Sequence, residues 1–173
     1  MQLLIAYASV HGSTAEIAEF IGKELRQRDF TVTVANMTEV ESLDEYDAII
    51  LGSAIHGTMW LQEMSIFLDH FQEDLKVKPL LVFITCVRVL EPDGYEHVLR
   101  EYINHQVLDK LNVKSLTAFA GRLDYSEIDW NERWTLAARY DGSQSPGSYS
   151  RDFRDWDKIR SWAISVADQL LPA

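Results

Sequence analysis

The segment Leu3-Leu4-Ile5-Ala6-Tyr7-Ala8-Ser9-Val10-His11-Gly12-Ser13-Thr14-Ala15-Glu16-Ile17-Ala18 changes its hydrophobic period halfway along. Residues 3–6 are a continuous apolar run, as expected of a strand covered on both faces, whereas from residue 13 onward the apolar positions recur at helical spacing. The join, Ser9 to Thr14, is rich in hydroxyls, holds one glycine and has no Lys or Arg. A strand that turns directly into a helix presents the free N–H groups of the first helical turn, and the positive end of the helix dipole, beyond the strand's carboxyl end. Ser9, Ser13 and Thr14 can add hydroxyl donors, and Gly12 allows close backbone approach, so the segment reads as a phosphate cradle built from neutral donors. A plainer reading is a helix cap at Ser13 or Thr14, with Glu16 closing a capping box. The two can coexist.

Outward from this segment the same switch of period repeats. Residues 2–8, 30–35, 46–51, 79–85 and 114–120 read as strands, and 13–28, 61–74, 94–110 and 153–171 as helices. Alternating strands and helices predict an α/β doubly wound, five-stranded parallel sheet with helices on both faces. Leu3–Ala6, Ala48-Ile49-Ile50-Leu51 and Leu80-Leu81-Val82-Phe83-Ile84 are unbroken apolar runs, while Thr31-Val32-Thr33-Val34 and Ser115-Leu116-Thr117-Ala118-Phe119 alternate. Strands 1, 3 and 4 are therefore expected in the centre and strands 2 and 5 at the edges. That gives the order 2-1-3-4-5 and disfavours the dinucleotide-binding order, in which strand 3 lies at an edge. A ligand is then expected at the crevice beyond the carboxyl ends of strands 1 and 3.

Composition narrows the function classes. The 173 residues suit one domain, 1–173. No apolar run approaches the roughly 20 residues needed to cross a bilayer, so no stable membrane insertion is expected. The chain starts with Gln2-Leu3-Leu4-Ile5 and shows no signal-peptide pattern, and a cytoplasmic location is expected. The single Cys86 cannot form an internal disulfide, and no Cys/His spacing suggests a metal site. A net charge of -11 opposes phosphate backbones and anionic membranes, which argues against a nucleic-acid partner.

The stretch Ser9-Val10-His11-Gly12-Ser13-Thr14 resembles the phosphate-binding loop of flavodoxins, with His11 where that family often has Thr. Leu51-Gly52-Ser53-Ala54-Ile55-His56, Phe119-Ala120-Gly121-Arg122-Leu123-Asp124-Tyr125, and Asp155-Trp156 before the last helix, are similar to a narrower branch. That branch comprises the FMN-containing, quinone-linked protoporphyrinogen IX dehydrogenases and their soluble relatives. The resemblance implies a flavodoxin-like fold and FMN as cofactor. It also implies two loops that offer backbone groups to the isoalloxazine ring: Ser53, Ala54, Ile55, His56, Gly57 and Trp60 after strand 3, and Thr85, Cys86, Val87 and Arg88 after strand 4. By the same analogy Gly57 permits a peptide flip towards the ring, and Trp60 either stacks on it or packs internally.

Other residues favour bland roles. Cys86 follows a buried strand and reads as a packed hydrophobe, not a nucleophile. His11 and His56 read as polar contacts, with His56 as a proton donor the sharper alternative. Asp124, Glu127 and Asp129 read as a solvated acidic face. A short insertion follows strand 5, spanning 121–152. Its stretch Ile128-Asp129-Trp130-Asn131-Glu132-Arg133-Trp134-Thr135-Leu136-Ala137-Ala138-Arg139-Tyr140 is amphipathic with mixed charge, unlike the basic and apolar face a membrane-docking helix needs. Trp130 and Trp134, one turn apart, are expected to pack onto the domain, with a role at a substrate mouth as the alternative.

Competing classes fail on particular residues. A response-regulator receiver needs acidic residues after strands 1 and 3, where Tyr7-Ala8-Ser9 and Gly52-Ser53 stand. No G-x-G-x-x-G or G-x-x-x-x-G-K-[ST] is present. A binding module that has lost its flavin stays open. The expected function is electron transfer through non-covalent FMN, with a redox partner protein, quinone or small molecule as partner. An acidic domain suits an electron donor, because it disfavours the charge that reduction adds to the ring. The alternative is a protoporphyrinogen IX dehydrogenase-type oxidoreductase. Against it, Arg88, Arg122, Arg133 and Arg139 are interspersed with Asp124, Glu127, Asp129, Glu132 and Asp141, a poor balance for a dianionic substrate.

Overall fold

A computed structural model describes residues 1–126, 129–141 and 150–171, with residues 130, 132 and 141 described in their backbone only. In chain order the first elements are β1 (Gln2–Ala8), α1 (Ser13–Arg26), β2 (Thr31–Asn36), β3 (Ala48–His56), β4 (Met59–Trp60), α2 (Gln62–His70), α3 (Gln72–Val77) and β5 (Leu80–Thr85). They are followed by α4 (Gly94–Glu101), α5 (His105–Leu108), β6 (Val113–Phe119), β7 (Arg122–Asp124), α6 (Trp130–Leu136), β8 (Ser150–Asp152) and α7 (Trp156–Leu170). The five long strands pair in parallel in the order β2-β1-β3-β5-β6, which is 2-1-3-4-5 once the two-residue β4 is set aside.

Alternation along the central strands sends successive side chains to opposite faces. Leu3, Ile5, Ile50, Leu81 and Phe83 pack under α1 and α7, whereas Leu4, Ala6, Ile49, Leu51, Val82 and Ile84 pack under the helices between β4 and β6. Every residue of β5 is buried, and the exposed positions of β2 and β6 mark them as edges. Among the described residues, no helix is long and apolar enough to cross a membrane.

Three departures from the sequence reading have local causes. The helix expected over 61–74 breaks at Phe71, whose backbone (φ -101°, ψ 21°) leaves the helical region while its ring buries against Phe67 at 4.7 Å. The helix expected over 94–110 breaks after Glu101, burying Ile103 and letting the His105 ring bond the carbonyl of Leu99 at 2.7 Å. The last helix begins at Trp156 because Asp155 caps it, accepting from the Lys158 N–H, while Ser150–Asp152 ahead of it pair with β7.

Candidate functional site

At the carboxyl ends of β1, β3 and β5 lies a cleft of about 500 Å³, within the usual range of cofactor sites. Its first wall is the β1–α1 turn. Gly12 stands at the N-cap of α1 with φ 81°, a left-handed conformation that an L side chain adopts only with strain. No side chain caps the helix, and the first intrahelical bond runs from Glu16 N to Gly12 O at 3.0 Å. The N–H groups of Ser13, Thr14 and Ala15 therefore open towards the cleft end of the turn. The capping-box reading is not what the structure shows. Glu16 instead faces Arg154, 2.6 Å away, and Arg122, 3.5 Å away.

The hydroxyls of the turn are ordered by the residues around them. Ser9 Oγ accepts from Gly12 N at 3.1 Å, and Ser13 Oγ accepts from Arg122 N at 3.3 Å. Thr14 Oγ1 lies 2.6 Å from Thr85 Oγ1 at the end of β5, both residues being buried. Ser9, Val10, His11, Ser13, Thr14 and Thr85 all line the cleft.

The second wall comes from β3, which runs five residues beyond its expected end at Leu51. It turns at Gly57 (φ 68°) and pairs with β4 through His56 and Met59. Glycine first in a two-residue hairpin loop fits the II′ turn, which matches the twist of the strands. Ala54, Ile55, His56 and Gly57 line the cleft. Ser53 and Trp60 do not. Ser53, fully buried, donates to Ala54 O and accepts from Leu61 N, so it braces the hairpin from beneath. Trp60 is buried and donates its indole N–H to Ser65 Oγ at 2.9 Å, the internal packing that was one of its two readings.

The third wall is the loop after β5, where Cys86, Val87 and Arg88 line the cleft. Burial pushes the Cys86 thiol up from its ordinary range, outweighing a backbone hydrogen bond at Arg88 and the Arg88 charge. Arg88 has a buried Nε with no hydrogen-bond partner among the described residues, and one such orphan beside a cleft is a donor awaiting a ligand.

The sequence reading missed a fourth wall. Tyr102, Gly121, Arg122, Leu123, Asp129, Leu136, Arg139 and Tyr140 also line the cleft, most of them from the insertion. The signal was present at Gly121 to Leu123, inside a block that carried the family resemblance, but no local pattern marks residues 136–140. Here α6 continues into a π-helical turn, Ala137–Asp141. Trp134 is 37% exposed and lies outside the two buried core clusters; the side chain of Trp130 and residues 127 and 128 lie outside what is described. Asp124 accepts from Ser126 N and Oγ, which holds its carboxyl below the usual range, and no metal-binding cluster occurs among the described residues.

A doubly wound sheet of this order, with an uncapped helix N-terminus facing a cleft at the switch point, is the flavodoxin-like architecture, which places a ligand beyond the carboxyl ends of the strands. The chain belongs to the flavodoxin domain family, which matches residues 4–147. It is 20% identical over 172 residues to the protoporphyrinogen IX dehydrogenase [quinone] of Escherichia coli K12, spanning 96% of this chain and 95% of that protein. Among solved structures it resembles flavodoxin 1 of Bacillus cereus, with a TM-score of 0.63, 18% identity, and coverage of 99% of this chain and 100% of that one. A flavodoxin of Streptococcus pneumoniae TIGR4 gives 0.62 at 18% identity, covering 98% of this chain and 100% of that one.

Proposed function

We propose that this protein binds FMN in the cleft and works as an electron carrier, receiving and passing on electrons through the flavin to a redox partner protein or a quinone. The observation that carries this reading is the uncapped start of α1, with Ser9, Ser13 and Thr14 beside it, opening on a cleft large enough for the cofactor. The first-turn N–H groups and hydroxyls would hold the phosphate. The Ala54–Gly57 hairpin and the Thr85–Arg88 loop would hold the ring, with the Arg88 Nε a donor to its polar edge. When bound, the flavin supplies one- and two-electron redox chemistry, while the chain supplies placement, electrostatics and exclusion of water. The free thiol of Cys86 fits a reducing compartment, and we place the protein in the cytoplasm.

Titration of the apoprotein with FMN and with riboflavin tests the assignment. FMN should bind at least tenfold more tightly, because riboflavin lacks the phosphate that the turn recognises. Equal affinities, or no binding of either, would refute it.

The likeness to the quinone-linked dehydrogenase along nearly the whole chain favours a second reading, oxidation of protoporphyrinogen. A substrate with two propionates needs available cations, yet Arg88 and Arg139 pair with Glu91, and Arg122 with Glu16. The carrier reading therefore fits better. Robust quinone-dependent porphyrin formation by the FMN-loaded protein would reverse that choice.

A further inference from the structure

Glu91, which follows the 3-10 turn Val87–Leu90, ties two walls of the cleft together. Its Oε1 accepts from the Tyr140 hydroxyl at 2.6 Å and lies 3.1 Å from Arg139 Nε, while its Oε2 lies 3.4 Å from a terminal nitrogen of Arg88. Glu91 does not line the cleft, but all three partners do. Arg88 belongs to the loop after β5, and Arg139 and Tyr140 to the π-helical turn that ends α6. Only 19% of the Glu91 side chain is exposed, so its charge is less screened than a surface carboxylate's.

We propose that Glu91 is a positioning residue that sets the charge class of the molecule admitted beside the cofactor: it fastens Arg139 and Tyr140 across the cleft and offsets one of the two positive charges of Arg88 and Arg139, so that anionic molecules gain less there than at unpaired guanidiniums and neutral flat molecules are favoured. The proposal rests on the reading that the cleft binds FMN. Each ion pair occupies one nitrogen of its guanidinium and leaves a carboxylate beside it, which weakens the pull of that guanidinium on a second anion. An incoming sulfonate or carboxylate must displace Glu91 or approach against its charge. Tyr140 does not relieve this, because burial and the hydrogen bond to Glu91 push its phenol up and keep it protonated. The third guanidinium of the cleft, Arg122, lies 3.5 Å from Glu16, which it shares with Arg154, so a carboxylate stands beside it as well. A neutral quinone meets none of these obstacles, and selectivity is this difference in affinity.

Equilibrium binding to the oxidised, FMN-loaded protein tests it, using an anthraquinone sulfonate and an uncharged hydroxymethyl anthraquinone of similar size, followed through the flavin spectrum. Glu91→Gln keeps the shape and can still accept from Tyr140, but removes the charge. It should bind the sulfonate about tenfold more tightly than the wild type, with an affinity that falls as salt is added, and leave the neutral compound within about twofold. Tyr140→Phe keeps the carboxylate and should gain no sulfonate affinity. In the apoprotein, Glu91→Ala should speed hydrogen exchange over residues 130–141 relative to the wild type. No gain for the sulfonate in Glu91→Gln, an equal gain for both compounds, or exchange unaltered in Glu91→Ala would overturn the proposal. A wild type that fails to take up FMN would instead overturn the functional reading, and the proposal with it.

Discussion

Thr14 and Thr85 offer a way to separate what the turn does for the fold from what it does for a bound phosphate. Their hydroxyl oxygens lie 2.6 Å apart in a buried pair that joins α1 to the end of β5, and both residues line the cleft. One hydroxyl proton makes this bond, which leaves the other free to point at a ligand. Thr14→Val keeps the shape but deletes one hydroxyl and strands the other, at a cost of about 1–3 kcal/mol to the fold. For a chain of this length that is a fall in Tm of about 2–10 °C. It also removes a donor to a charged phosphate, worth about 1.5–3 kcal/mol, or roughly ten- to a hundredfold in FMN affinity. Adding Thr85→Val removes the stranded partner, and replacing both members of a buried pair is close to neutral for the fold. The double variant should therefore regain most of the lost Tm while its FMN affinity stays low, as read by differential scanning fluorimetry of the apoprotein and by fluorescence titration. Unchanged affinity in Thr14→Val, or affinity returning together with Tm in the double variant, would refute the reasoning.

Gly12→Ala meets no atom within 4 Å of the added Cβ, so its whole cost is the left-handed backbone, about 1–2 kcal/mol; FMN titration should show weaker binding in a variant that still folds by circular dichroism. Because burial raises the Cys86 thiol, its labelling by a disulfide reagent should be slower than that of a small free thiol at pH 8, should speed up as pH rises further, and should slow again when FMN fills the cleft. Asp152 is held below the usual carboxylate range by hydrogen bonds from Arg154, so its contribution to stability is present above the unfolded pKa of about 3.9 and is lost as pH falls through its folded value. The Tm advantage of the wild type over Asp152→Asn should accordingly shrink on acidification, and a gap that stays constant with pH would contradict this.

The sheet was legible because burial on both faces writes itself into sequence as unbroken apolar runs. Leu3 to Ala6, Ala48 to Leu51 and Leu80 to Ile84 are such runs, and they lie at the centre of the sheet with their side chains divided between its two cores. The β1–α1 turn was legible because its chemistry is local: hydroxyls, a glycine and the start of a helix lie within six residues. Trp60 was not, since stacking on a ligand and donating to Ser65 across five residues draw on the same side chain. The fourth wall was the least legible. Tyr140 and Arg139 reach the cleft through Glu91, about fifty positions earlier, and no periodicity encodes a contact of that separation.

The charge of the cleft shows how partners read along the chain differ from partners in space. Sequence alone set Arg88, Arg122, Arg133 and Arg139 against the acids of the insertion, as though proximity along the chain were proximity in space; of the four, Arg88, Arg122 and Arg139 line the cleft. Among the described residues the carboxylates that pair with these three are Glu91, on the loop after β5, and Glu16, in the first turn of α1, and neither belongs to the insertion. Asp124, the first of the insertion's acids, is turned to Ser126 instead. Among the described residues a dianion therefore meets three ion pairs made by two carboxylates, with Asp129 also lining the cleft. The two accounts differ in consequence. A diffuse field changes little when one carboxylate of several is removed and weakens everywhere with salt, whereas a paired guanidinium is released by a single substitution at its partner. Removing the charge of Asp124 should leave anion binding near its wild-type level, and removing that of Glu91 or Glu16 should not.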